Sequence, residues 1–442
     1  MRKGVAQMRK ASVVMLAIFA FGLLLAAGTQ VANAATEAEK LTDISQALTY
    51  LASLQQGDGS WIYGGGYNDV AATGSVLLSF LEAPVAARPL TYSTVVNNGL
   101  TYLFQQARVV NIAPQPGNPD TNANGTGVFF NALNTVGNHD TYPSGMAVPA
   151  IVATGTPNAI VNAPGSAVNG WTYAKVVQDT ADYFAWGQND VANWAQGGWG
   201  YVANQQGWAD NSNAQWPAVA LLYAQSWQTP AQQAQLQFVK TQLDLWIDTI
   251  QFRNNTNAGI DGASEYVPGY NWHGPSKTGG LLLQMDYSQG QPQADVDAAV
   301  AYLNRAWLNG GAGGMPGNFG DAYAMWGVYK GLEVTIGLNA TTGITNLNNQ
   351  LTARSGGPAP LDLGDNWTWW EDYCEYLHNT QSAGGSWDSS TGWVGGGVLA
   401  TAWYTNILNA TQVPPPVIPE PVTMAGLLLG VGGLVRYVRR RK

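Results

Sequence analysis

The sequence predicts an all-α fold, six helical hairpins closed into an (α/α)6 toroid. Three observations carry this reading. One phrase recurs at wide spacing: an amphipathic helix, a Gly/Trp-rich loop, then an apolar helix rich in small residues. The chain is rich in Trp (18), Tyr (20) and Gly (53), so its core must pack aromatic rings against bare backbone. It has a single cysteine, Cys374, so no internal disulfide is available and stability has to come from packing.

Taken in order, Arg2, Lys3, Arg9 and Lys10 precede an apolar run from Ala11 to about Ala27, and Ala32-Asn33-Ala34 follows as a small-x-small site. This is the pattern of a secretory signal peptide over 1–34. The first repeat opens with Ile44, Ala47, Leu48, Leu51 and Leu54 on one helical face, with Thr42 or Asp43 as the expected N-cap. Gln56-Gly-Asp-Gly-Ser-Trp61 follows, and then the small-residue helix from Asp69.

Counting such pairs places first helices near 42–54, 93–106, 174–186, 233–251, 294–308 and 366–379. Their partners lie near 70–82, 143–153, 212–227, 276–284, 321–333 and 394–408. The second copy is the weakest, because 107–142 and 154–172 read as Gly/Pro/Asn-rich loop. Units of this kind bury their apolar faces only by stacking. An open superhelical solenoid is the alternative. Closure is preferred because the terminal copies carry the sharpest motifs and lack the polar caps that an open array needs. The helical body spans 35–412.

Residues 413–442 hold Pro419-Glu420-Pro421, an apolar run Val422–Val435 and a basic cluster ending at Lys442. The run is shorter than the ~20 residues that comfortably span a bilayer, and cations behind it favour the cytoplasmic side. This tail resembles a PEP-CTERM sorting signal, with a short transmembrane segment, of the kind read by exosortases in Gram-negative bacteria. The resemblance implies export, transient anchoring in the inner membrane, processing by an exosortase as partner, and delivery to the cell envelope or surface.

A second resemblance concerns the repeats. Gln56-Gly-Asp-Gly-Ser-Trp61 and Gln381-Ser-Ala-Gly-Gly-Ser-Trp387 resemble the QW motif of the prenyltransferase/squalene-cyclase repeat family, with Gln196-Gly-Gly-Trp199 as a degenerate copy. The motif is mainly structural and supports the terpenoid cyclase/prenyltransferase-like toroid rather than any chemistry. The Asp-x-Asp-Asp acid of protonation-initiated cyclases is absent. Asp295-Val-Asp297 sits at the start of an outer helix, where capping and first-turn charge explain it. Asp372-Tyr-Cys374 with His378 resembles the zinc ligands of protein prenyltransferases. On a helix, however, Asp372 and Cys374 point about 200° apart, and Cys374 joins the apolar stripe. No metal site and no cofactor is expected.

Stripping both terminal signals leaves ten basic residues against 27 acidic ones, a net charge near −17. A surface that acidic repels nucleic acid and anionic lipid. The remaining candidates sit where each Gly/Trp loop enters an inner helix: Asp69, Asp140, Asp210 and Asp321 in copies one, two, three and five, His273 and Lys277 in copy four, with Trp61, Trp199, Trp208, Trp272 and Trp393 nearby. Carboxylates that accept hydroxyl hydrogen bonds, beside aromatic faces that stack on pyranose rings, suit a sugar. The expected function is therefore an exported surface protein whose toroid binds extracellular polysaccharide without catalysis. An extracellular carbohydrate-active enzyme, a glycoside hydrolase or lyase using a carboxylate pair, is the second reading. A divergent cyclase-like enzyme is the third.

Overall fold

The computed structural model describes residues 35–308, 317–348, 368–389, 394 and 397–416. The signal peptide, Trp393, the Pro419-Glu420-Pro421 triplet and the apolar run behind it lie outside the described residues. No helix among the described residues is long and apolar enough to cross a membrane.

The chain is mostly helical, with thirteen α-helices and one two-stranded antiparallel hairpin among the described residues. The helices are α1 (Glu37–Ser53), α2 (Tyr67–Leu81), α3 (Tyr92–Gln105), α4 (Thr141–Ala153), α5 (Tyr173–Gly187) and α6 (Asn211–Ala224). There follow α7 (Pro230–Gln235), α8 (Gln237–Ile250), α9 (Pro275–Ser288), α10 (Gln293–Ala306), α11 (Ala322–Thr335), α12 (Trp369–Thr380) and α13 (Val398–Leu408). Strands β1 (Ala107–Asn111) and β2 (Thr126–Phe130) pair from Ala107 opposite Phe130 to Asn111 opposite Thr126.

Three local readings change. Helix α1 starts earlier than its apolar stripe suggests, because Thr36 and Glu39 form a reciprocal capping box ahead of Thr42 and Asp43. The segment 233–251 is broken at Leu236 into α7 and α8. The region 107–142 is not all loop. Its β2 is buried at four successive positions, so both faces are apolar and the alternation that marks a half-exposed strand is missing.

Helices α2, α4, α6, α9, α11 and α13 are buried along almost their whole length, as expected of elements apolar on every side. Each packs on the next, α2 on α4, α4 on α6, α6 on α9, α9 on α11 and α11 on α13, and α13 packs back on α2. The amphipathic helices α1, α3, α5, α8, α10 and α12 lie against this set by their apolar stripes. Small residues permit the close approach. A Cβ added at Gly279 would lie 2.4 Å from the Val328 backbone nitrogen, so α9 and α11 touch main chain to main chain.

The recurring loop works as a staple between successive amphipathic helices. The Gln55 amide donates to Gly59 O and, at 2.9 Å, to Val95 O of α3. Gln188 donates to Gly197 O and to Val239 O of α8, and Gln381 to Gly385 O and to Asp43 O of α1. The last of these joins the final repeat to the first. Two residues after each glycine a tryptophan is buried, and its indole N–H donates back to its own outer helix. Trp61 reaches Leu51 O at 2.7 Å, Trp199 reaches Phe184 O at 2.8 Å, and Trp387 reaches Leu377 O at 2.9 Å. The bridging residue is Gln55 rather than Gln56, and Gln188 rather than Gln196. A fourth copy, Gln251 donating to Asp295 O of α10, has Ser264 in place of the Trp and so was invisible to the motif.

Candidate functional site

The N-terminal turns of all six fully buried helices surround one cavity of about 510 Å³. Tyr67 and Asn68 come from α2, Tyr142 and Met146 from α4, Ser212, Asn213 and Trp216 from α6, Lys277 from α9, Tyr323 from α11, and Leu399 and Trp403 from α13. Loops add Tyr63, His139, Tyr201, Tyr266 and Trp272. Trp272 remains 39 % exposed, so the cavity opens to solvent at that edge. Deeper along the helices Trp216 stacks on Trp326 and Trp403, at ring separations of 4.9 and 6.0 Å. Against these rings lies a second, much smaller pocket of about 10 Å³, lined also by Ser75, Leu78, Pro149, Val219 and Asn406.

The wall is aromatic and uncharged except at one point. Burial raises the hydroxyl pKa of Tyr142, Tyr201, Tyr266 and Tyr323 and pushes Tyr63 to about 12, so all stay as O–H groups at neutral pH. Tyr142 donates to Asn68 Oδ1 at 2.9 Å, and the Tyr201 and Tyr266 hydroxyls meet at 3.2 Å. His139 stacks on Tyr67 with ring centroids 4.4 Å apart, and burial lowers its pKa, which favours neutral imidazole. The exception is Lys277, 4 % exposed, whose ammonium lies 4.6 Å from the Tyr323 ring centre and 5.4 Å from that of Tyr266. Burial lowers its pKa to about 8, against the opposing pull of Asp210 and Asp321. It remains mostly protonated at neutral pH.

Of the residues expected at the mouth, Lys277 and Trp272 line the cavity, whereas the carboxylates stand behind its wall. None of Asp69, Asp210, Asp321, Trp61 or Trp199 lines the cavity. Asp69 accepts from the backbone N–H groups of Tyr63 and Gly65, which fixes the loop that carries Tyr63 inward. Asp210 is wholly buried, caps α6 through Asn213 N at 2.9 Å, and also takes the side-chain donors of Ser212 and Asn213. Asp321 caps α11 by accepting from Ala324 N at 2.6 Å. Trp61 and Trp199 are core residues held by the indole bonds described above. The position of the mouth follows from where loops enter inner helices. The lining itself is offset from the capping residues by one to nine positions.

No protein-family model matches the chain, and no curated protein matches it. The chemistry of the site therefore rests on its own geometry.

The lining tyrosines were not anticipated, because an aromatic near a helix start reads equally well as core, and His273, expected beside Lys277, does not line the cavity. Asp372, Cys374 and His378 have separate tasks. Asp372 accepts from the Trp307 indole at 2.7 Å, Cys374 is wholly buried, and His378 contacts Asp43 Oδ2 at 2.7 Å. No group of three or more His, Cys, Asp or Glu among the described residues is placed to hold a metal ion.

Proposed function

We propose that this chain is an exported, exosortase-processed surface protein of a Gram-negative bacterium. Its body is an (α/α)6 toroid of the prenyltransferase/squalene-cyclase type, and its aromatic cavity binds a segment of extracellular polysaccharide without covalent chemistry. The observation that carries the binding reading is the lining: tyrosine and tryptophan faces with neutral hydroxyl and amide donors, and no carboxylate among them. Hydrolysis of a glycoside would need two carboxyls facing the substrate, roughly 5–10 Å apart. A cyclase would need a protonated carboxyl aimed at an alkene in a sealed apolar chamber. Neither arrangement occurs among the residues around this cavity. The volume lies within the ~300–1,000 Å³ of small-ligand sites, enough for a short oligosaccharide. The toroid reading is supported by the return of α13 onto α2 and by the Gln381 staple to α1.

The test is calorimetric titration of the full-length chain in detergent with oligosaccharides from bacterial exopolysaccharide. Trp272→Ala, at the solvent edge, should weaken binding at least tenfold, or ~1.4 kcal/mol, with an unchanged melting temperature. Release of reducing ends by the wild-type chain would refute a purely binding role.

A further inference from the structure

We infer that Lys277 makes the cavity selective for a sugar bearing a single carboxylate, a uronic acid. The inference rests on the sugar-binding reading above and names the substrate class of that same site. The lysine is buried, lines the cavity, and makes no ion pair within 4 Å among the described residues. An ammonium has three donors to place. The side-chain acceptor that Lys277 has is the Tyr323 hydroxyl at 3.5 Å, the long end of hydrogen-bonding range. Burying a charge is costly unless it is paired. Cation–π contacts to Tyr266 and Tyr323 offset part of that cost and leave the donors unspent toward the cavity.

The surroundings fit an anion. Six helices present their N-terminal turns to this space, each contributing a partial positive charge. Asp210, the buried acid that acts most on Lys277, has both oxygens occupied by donors of the first turn of α6 and does not line the cavity. The charge balance limits the ligand to a monoanion. One ammonium with Asp210 and Asp321 close behind does not compensate a phosphate dianion or an array of sulfates. A cationic sugar would meet Lys277 directly.

The experiment uses the full-length chain, titrated with neutral di- to tetrasaccharides that carry one terminal uronic-acid residue and with the same oligomers after reduction of that carboxyl to an alcohol. The wild type should bind the acidic series at least tenfold tighter than the reduced series. Lys277→Met, which keeps the volume and removes the charge, should bind both alike, with the affinity the wild type has for the reduced series. Lys277→Arg serves as the second variant, and should restore part of the preference. Equal wild-type affinity for both series, or a preference that survives in Lys277→Met, would overturn the assignment while leaving sugar binding intact. Failure to bind either series would overturn the sugar reading itself.

Discussion

Replacing Gly385 by alanine tests the staple that joins the last repeat to the first. Gly385 has φ +85°, and a Cβ there would lie 2.5 Å from the carbonyl oxygen of Gln46 on α1 and 2.6 Å from its carbon. Both atoms belong to helical main chain, so neither can swing aside. An L-residue in the left-handed region costs ~1–2 kcal/mol, and forcing packed elements apart adds ~1–3 kcal/mol. The expected loss is therefore about 2–5 kcal/mol. In a folded body this large each kcal/mol moves the melting midpoint by about 1–2 °C, which gives a drop of roughly 2–10 °C by scanning calorimetry. Gly384 is the matched control: its nearest neighbour to an added Cβ is Ser382 Oγ at 3.8 Å, so Gly384→Ala should melt like the parent. Equal melting of the two variants would refute the argument that main-chain contact, rather than loop composition, sets the requirement for glycine.

Other outcomes follow from the same geometry. Burial pushes Glu82 and Asp182 up to about 7, and Asp286 and Asp372 to about 6. Groups whose folded pKa is raised stabilise fully below their unfolded values and lose that contribution as pH climbs through the folded ones. The melting temperature should therefore be higher at pH 5 than at pH 8, offset in part by His139 and His273, whose values are lowered. Asp182→Asn should flatten the profile. Trp61→Phe removes the indole bond to Leu51 O and leaves a small void, costing about 1–3 kcal/mol by denaturant titration. Asp321→Ala removes the cap of α11 and should cost ~0.5–2 kcal/mol while leaving the affinity for neutral oligosaccharides unchanged in the same calorimeter. Changing Glu420 or deleting Arg436–Lys442 should leave an unprocessed, membrane-retained precursor; an intact C-terminus on surface protein from a strain with an active exosortase would refute the sorting reading.

Much of the architecture was legible because its signals are periodic. The stripe of Val239, Leu243, Trp246, Ile247 and Ile250 specifies a helix with one buried face, and all five are buried in α8. The Gly-x-Trp pairs mark the staples because only glycine fits against the neighbouring carbonyl and the indole needs its helix-end acceptor. The glutamine was harder to place. Gln55 and Gln56 are adjacent, and spacing alone cannot say which side chain faces Val95. The site was less legible for a related reason. A carboxylate beside a helix start is ambiguous between cap and ligand, and the backbone N–H groups at Asp69, Asp210 and Asp321 claimed those oxygens. The repeat spacing places Lys277 at the mouth but does not reveal its burial, since a lone lysine early in a helix ordinarily points to water. Here α9 is buried on every side, and its third residue has nowhere to go but the cavity.

The stacked rings of Trp216, Trp326 and Trp403 give the cavity a bottom. On the polysaccharide reading proposed above, a polymer could not be threaded past these rings, so a long chain would engage the cavity by a terminus or a branch tip. The number of places it can occupy on a polymer sample is then the number of ends. Cutting that sample into shorter pieces at constant mass would raise its capacity for the protein, whereas a groove that lies along the chain would be indifferent. Occupancy counts molecules, not mass.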